Sequence, residues 1–147
     1  MAGKVKPIPD GFHTITPYLT VPGVAKLIDF VKQAFDAKEI ERMQRPDGTV
    51  QHAEVKIGDS IVMMGEPQGQ WTARPGTLYV YVDDVDSTYR LAIDAGARSL
   101  TEPADMFYGD RNAGVEDPSG NMWWIAKHIE DVSAEELQKR AAAVKRA

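Results

Sequence analysis

The chain repeats one order of hydrophobic patterns twice. In residues 13–66, β-branched and aromatic residues predict a strand over 13–21, apolar residues at helical spacing predict a helix over 24–35, and three further runs predict strands. An Asp-Gly pair between two of these runs predicts a tight hairpin. Residues 77–128 show the same order, with a helix predicted over 85–97. Each half is therefore predicted to be a β-α-β-β-β unit.

The two halves align on each other along the sequence. Thr16 falls on Thr77 with an offset of 61, and Gly58 falls on Gly120 with an offset of 62. A nearly constant offset between matching elements indicates an internal repeat. We therefore predict that the halves share one fold.

Two segments lie outside the predicted repeat. Residues 1–12 are predicted to form an extended arm. Residues 133–147 are predicted to form a C-terminal helix, because Ser133 and Glu136 make a capping box. This helix is expected either to pack on the domain or a partner, or to be a solvated tail.

Composition excludes several classes of function. The 147 residues include 43% hydrophobic and 27% charged residues, which is ordinary for a globular protein. A net charge of -5 argues against nucleic acid as a partner. The absence of cysteine excludes disulfides and thiolate chemistry. No apolar run approaches a membrane span and the N-terminus has no signal-peptide pattern, so we expect a cytoplasmic protein without a membrane partner.

Several motifs carry a resemblance to a known family. GDSIVMM closes the first half, and DVDSTYRLAIDAGA and EDPSGNMWWI lie in the second. With the repeated element order, these motifs resemble the vicinal oxygen chelate superfamily, which includes glyoxalase I, extradiol dioxygenases, fosfomycin-resistance enzymes and bleomycin-binding proteins. The resemblance covers residues 13–128. TPYLTV, AFDAKEIERM, FYGDR and HIEDVSAEEL further resemble its PhnB-like subgroup, often labelled 3-demethylubiquinone methyltransferase-like.

The resemblance implies an α+β fold. Two tandem βαβββ repeats would form curved mixed sheets around a cup-shaped cavity, with the C-terminal helix added. It also implies a homodimer, because superfamily relatives pair around a two-fold axis. The enzymes of the superfamily hold a divalent metal with four side chains from the first and last strand of each half.

The positions that match those metal ligands do not carry good ligands in this chain. They are Thr16, Val62, Thr77 and Trp124. Valine and tryptophan do not bind divalent ions, and threonine binds them weakly without carboxylates. We therefore expect neither the shared metal site nor another cofactor.

The adjacent tryptophans point to opposite sides of the last strand. We expect Trp123 to face the helix layer and Trp124 to face the cavity, either as the wall of a ligand site or as filling of a closed core. The residues predicted to bind a ligand are Thr16, Tyr18, His52, Glu54, Met64, Thr77, Tyr79, Tyr108, Arg111 and Trp124.

Three of these residues are also candidates for catalysis. His52 and Glu54 are two apart on one strand, so they project the same way and can act as base and orienter, or hold a metal with a third ligand. They can equally form a polar lining or a cross-strand ion pair. Arg111 can bind a carboxylate or phosphate, or can be held by Asp110 in a structural turn.

The expected function is binding of a small organic ligand, by analogy with the bleomycin-binding members. The alternative is a lyase, isomerase or dioxygenase of the same superfamily with a relocated metal or a metal-free polar site. Methyl transfer has no support, since the chain lacks a glycine-rich nucleotide loop.

Overall fold

The computed structural model describes residues 3–144 of a chain that divides into two compact units, Met1–Gly76 and Thr77–Ala147. Each unit contains one four-stranded mixed sheet with a helix packed on it. A third helix follows the second sheet. The predicted α+β fold with two βαβββ units and a C-terminal helix is confirmed.

The first unit has the predicted order of elements. They are β1 (Tyr18–Thr20), α1 (Val24–Phe35), β2 (Lys38–Gln44), β3 (Val50–Ile57) and β4 (Ser60–Gly65). The sheet order is β1-β4-β3-β2, in which only β1 and β4 are parallel. The strand predicted over 13–21 is much shorter than expected. Pro17 precedes it, and proline has no N–H for a sheet ladder.

The second unit repeats this topology. Its elements are β5 (Thr77–Tyr81), α2 (Val85–Asp94), β6 (Arg98–Asp105), β7 (Asp110–Glu116) and β8 (Met122–His128). The sheet order is β5-β8-β7-β6, with β5 parallel to β8. Asp84 caps α2, because its side chain accepts a hydrogen bond from the Ser87 N–H.

The C-terminal helix α3 spans Ala134–Ala143. The Ser133 side chain accepts from the Glu136 N–H, as the capping pattern predicts. Residues 145–147 of the predicted helix, and residues 1–2 of the predicted arm, lie outside the described residues. In the described part of the chain, no helix is both long and apolar enough to cross a membrane.

The pairing of strands fixes which residues of the two units correspond. Tyr18 lies beside Met63, and Tyr79 lies beside Trp124, so Met63 is the counterpart of Trp124 at an offset of 61. The paired residues Gly114 and Trp124 are ten positions apart, whereas the corresponding pair Glu54 and Met63 is nine apart, so the second hairpin is one residue longer. Matching Gly58 to Gly120 therefore shifts β4 by one residue.

A shift of one residue exchanges the two faces of a strand. Val62 and Met64 lie on the buried face of the first sheet, not on its open face. The predicted roles of Val62 as a metal-site position and of Met64 as a ligand-binding residue are therefore wrong, and Met63 takes the open position.

Candidate functional site

The second sheet has one face covered by α2 and one face that carries exposed aromatic rings. Ala113, Val115, Trp123 and Ile125 are buried on the covered side. The opposite side, here called the Trp124 face, carries Thr77, Tyr79, Tyr81, Asp110, Asn112, Gly114, Trp124 and His128. The predicted division of the two tryptophans is confirmed within this unit, because Trp123 is 1% exposed and Trp124 is half-buried.

The indole of Trp124 lies over a glycine on the neighbouring strand. Gly114 pairs with Trp124, and a Cβ on Gly114 would stand 2.8 Å from Cζ3 of the indole. Carbon atoms normally pack 3.5–4.0 Å apart. In the first unit the corresponding pair is Glu54 and Met63. The tryptophan therefore occupies the space that a side chain at residue 114 would fill.

A buried carboxylate organises the polar groups of the Trp124 face. Asp110 is 6% exposed. Its Oδ2 accepts from the Tyr79 hydroxyl at 2.7 Å and from the Tyr81 hydroxyl at 3.1 Å. Its Oδ1 lies 2.9 Å from Nδ1 of His128. One carboxylate thus fixes three side chains from two other strands.

Asn112 extends this network. Its Nδ2 donates to the Tyr79 hydroxyl at 3.2 Å and to the Tyr108 hydroxyl at 2.6 Å. The phenol rings of Tyr79 and Tyr81 lie at the surface, since 42% of Tyr79 and 63% of Tyr81 are exposed. The hydroxyl groups are therefore anchored while the rings stay accessible.

The network sets the protonation of its members. Burial raises the pKa of Asp110, but hydrogen bonds from Tyr79, His128 and Tyr81 outweigh it and hold the pKa below 3.8. Burial, together with the adjacent carboxylate, raises the pKa of Tyr79 and of Tyr81. Around neutral pH, Asp110 is an anion and both tyrosines are neutral donors.

His128 is expected to titrate above its ordinary pKa of 6.5. Hydrogen bonds to Asp131 and then Asp110 favour the protonated ring and raise its pKa. The stabilisation it gives is present below pH 6.5 and is lost as the pH rises through the raised pKa. An NMR titration should show this shift, and Asp131→Asn and Asp110→Asn should each reduce it. A pKa at or below 6.5 in the unmodified protein would contradict the ion pairs.

Arg111 lies on the opposite side of β7 from the Trp124 face. Its guanidinium donates to Asp86 at 2.8 Å and to Asp105 at 3.0 Å. Both carboxylates come from the same unit, and they raise the pKa of Arg111. The alternative in which Asp110 holds Arg111 is wrong, because the carboxylates that hold Arg111 are Asp86 and Asp105.

The open side of the first sheet carries a second polar chain. Tyr18, His52, Glu54 and Met63 share this side, here called the Tyr18 face. Nδ1 of His52 lies 3.2 Å from the Tyr18 hydroxyl, and Nε2 lies 2.9 Å from the Glu54 carboxylate. The three predicted residues are therefore brought together, with the imidazole between a phenol and a carboxylate.

Thr16 precedes Tyr18 in the sequence and lies outside β1. Its hydroxyl donates to the His13 carbonyl at 3.3 Å. Thr16, Glu54 and Met63 line a cavity of about 470 Å³ whose other wall is the N-terminal arm, including Pro7 and Phe12. The arm thus covers part of the Tyr18 face.

Sequence reasoning missed Asp110 and Asn112 as the organising groups of the Trp124 face. A usable signal was present in β7, because Asn112 and Gly114 alternate with the apolar residues Ala113 and Val115, and Asp110 continues the same alternation. Alternation with apolar residues places the first set on the side away from the helix. Their tyrosine partners come from elsewhere in the chain and had no local signal.

No three His, Asp or Glu side chains in residues 3–144 come together in a way that could hold a metal ion. The absence of the superfamily's metal stays a prediction. Elemental analysis of the purified protein should find no stoichiometric nickel, zinc, manganese or iron. A metal that is lost in Thr16→Ala or Thr77→Ala would contradict this, and a metal lost in His52→Ala would favour the enzymatic alternative.

The repeated βαβββ topology agrees with a comparison of the sequence with known protein families. Residues 11–125 match the Glyoxalase/Bleomycin resistance protein/Dioxygenase superfamily. The chain belongs to this superfamily. Among curated relatives, an uncharacterized protein of Mycobacterium bovis is 33% identical and the match covers 84% of this chain and 89% of that protein. An uncharacterized protein of Mycobacterium tuberculosis is also 33% identical, with 84% and 79% covered.

Solved structures show the same fold at lower identity. TioX from Micromonospora sp. ML1 has a TM-score of 0.64 and 23% identity, over 82% of this chain and 100% of that chain. A gene product of Arabidopsis thaliana has a TM-score of 0.63 and 23% identity, over 79% and 99%. A family enzyme from Burkholderia phytofirmans has a TM-score of 0.61 and 20% identity, over 78% and 96%.

Proposed function

We propose that the chain is a small-molecule-binding member of its superfamily, of the PhnB-like subgroup, that works without the four-ligand metal site. The observation that carries the proposal is the Trp124 face. Tyr79, Tyr81 and Tyr108 have their hydroxyls held by Asp110 or Asn112 while their rings are exposed beside a half-buried indole.

This arrangement suits a ligand with a flat apolar part. Aromatic rings bury a large area and stack on flat partners. Rings whose polar ends are already fixed lose little further freedom when a ligand binds, which favours affinity. A few polar groups beside the rings supply orientation, as in known small-molecule sites.

Native mass spectrometry of the purified protein tests whether a small molecule is retained. Bleomycin is a suitable added probe, because the family is named partly for resistance to it. We expect a retained or added ligand to be lost in Trp124→Ala but not in Leu91→Ala, which removes an exposed apolar side chain of α2. Binding that is equal in Trp124→Ala and the unmodified protein would refute this site.

The Tyr18 face favours a second candidate function, proton transfer by a lyase or isomerase. Glu54 orients the imidazole of His52, whose other nitrogen contacts a phenol, and such an arrangement suits a general base. Glyoxalase-type isomerisation of a hemithioacetal is a direct assay. Activity that is abolished by both His52→Gln and Glu54→Gln would favour this candidate, and no activity would favour binding alone.

We also propose a homodimer. In the described residues, the terminal strands β2, β5 and β6 each pair with one strand only, and the outer side of β1 carries a single bridge, from Thr20 to Arg74. Unpaired strand edges need covering, and a two-fold interface covers the same edge on both chains. Light scattering is expected to give twice the chain mass of 16.2 kDa. A monomer at micromolar concentration would contradict this proposal.

A further inference from the structure

The first unit has a second cavity, on the side of the Tyr18 face away from the N-terminal arm. It measures about 520 Å³ and is lined by Tyr18, Gln51, Arg45 and Trp71 among others. An adjoining cavity of about 350 Å³ shares Thr20 and Trp71 with it and also contains Arg74. Trp71 therefore borders both spaces, with one arginine in each.

Arg45 brings a positive charge to this cavity without a carboxylate partner. Its guanidinium donates to the Thr49 hydroxyl at 3.2 Å and to the Glu66 carbonyl oxygen at 3.3 Å, and both acceptors are neutral. Its Nε is buried and has no hydrogen-bond partner among the described residues. Nη1 and Nη2 each keep a second N–H, so the end of the guanidinium can still donate to an anion.

The nearby carboxylates of Glu66 and Asp47 accept hydrogen bonds from groups other than Arg45. Glu66 lines the same cavity, but its two oxygens accept from the backbone N–H groups of Gly23 and Val50. Asp47 accepts from Thr49, and this lowers its pKa, with a smaller contribution from Arg45. Neither carboxylate forms an ion pair with Arg45 in the described structure.

Trp71 is 70% exposed although its backbone is fixed. Its N–H and carbonyl both bond to Gln68, and the Arg74 N–H bonds to the Thr20 carbonyl at 2.7 Å. The loop is therefore tied to β1 while it presents an indole to the cavities. The exposed indole is therefore available to stack on a flat ligand.

We infer that the cavity between Arg45 and Trp71 binds an aromatic carboxylate, with the ring on the indole and the carboxylate on the guanidinium. Nη1 and Nη2 of Arg45 each keep one unused N–H, and a guanidinium edge matches a planar carboxylate. The exposed Arg74 adds positive charge on the far side of Trp71. All the residues that line this site belong to the first unit.

Calorimetric titration with phenylacetate tests the inference. Phenylacetamide keeps the ring and removes the charge, and acetate keeps the charge and removes the ring. Each should bind at least about tenfold more weakly than phenylacetate, since one loses the charged hydrogen bond and the other loses the stacking. Equal binding of phenylacetate and phenylacetamide, or no binding of phenylacetate, would overturn the inference.

Variants locate the site. Trp71→Ala and Arg45→Gln should each weaken phenylacetate binding about tenfold. Arg90→Gln removes the same charge from an exposed arginine of α2 and should leave binding unchanged. Thermal unfolding checks that Arg45→Gln folds, and Trp71→Ala changes an exposed side chain and so tests the site independently. Unchanged binding in Trp71→Ala would overturn the inference. Loss only in Trp124→Ala would do the same while supporting the proposed function.

Discussion

Trp123→Ala is expected to lower the free energy of unfolding by about 3–5 kcal/mol. Trp123 is almost fully buried under α2, and its indole N–H donates to the buried Asp117 carboxylate at 2.7 Å. Removing the ring leaves a large cavity and removes one of the donors that hold the turn before β8. Chemical denaturation monitored by circular dichroism measures the loss.

The neighbouring tryptophan is the internal comparison. Trp124→Ala removes a half-buried ring from the open side of the same strand, so its cost should be about 1 kcal/mol. Trp123→Phe keeps an aromatic ring in the core and should recover part of the stability lost in Trp123→Ala. If Trp124→Ala is as damaging as Trp123→Ala, Trp124 is a core residue and the proposed ligand site loses its central ring.

Local patterns in the sequence were sufficient to predict the order of elements. The predicted bounds of α1, Val24–Phe35, agree with the structure. The apolar residues of this segment recur at helical spacing, and Gly23 and Asp36 adopt left-handed backbone angles at its two ends. Helix periodicity and helix ends are both properties of neighbouring residues, and a single sequence records them directly.

Register between the two halves was harder to predict, because it depends on turn length. The hairpin that joins Gly114 to Trp124 is one residue longer than the hairpin that joins Glu54 to Met63, and Met64 was assigned to the wrong face for this reason. Gly58 and Gly120 match as residue types, but they do not occupy equivalent positions in the two hairpins. Aligning the halves on residue identity superimposes these glycines, whereas the observed strand pairs give a different offset.

The candidate site was only partly predictable for a different reason. His52 and Glu54 are two residues apart on one strand, so alternation alone places them together. The partners of Asp110 come from β5 and β8, about thirty and eighteen residues away. Contacts of this range depend on strand order, which hydrophobic periodicity does not encode. Arg111 shows the converse, since its sequence neighbour Asp110 is not its partner.

Gly114→Ala is expected to destabilise the second unit by about 1–3 kcal/mol, although glycine itself usually weakens the interior of a strand. The new Cβ would lie 2.8 Å from Cζ3 of Trp124 and 3.1 Å from Cγ2 of Thr101. The backbone of Gly114 does not have a positive φ angle, so steric overlap with the indole is the cause. The indole has to tilt off the sheet, and ligand binding at the Trp124 face should be lost with it.

A double-mutant cycle separates this overlap from a general loss of strand stability. In a Trp124→Ala background the overlap with the indole is gone, so adding Gly114→Ala should cost little or nothing. The coupling between the two positions should then be at least about 1 kcal/mol, within the range seen for residues in contact. Thr101→Ala with Gly114→Ala shows how much of the cost comes from the threonine methyl group. Additive costs for Gly114→Ala and Trp124→Ala would mean that the indole does not lie on Gly114 in solution, and the ring would then be free to take other positions on the open face.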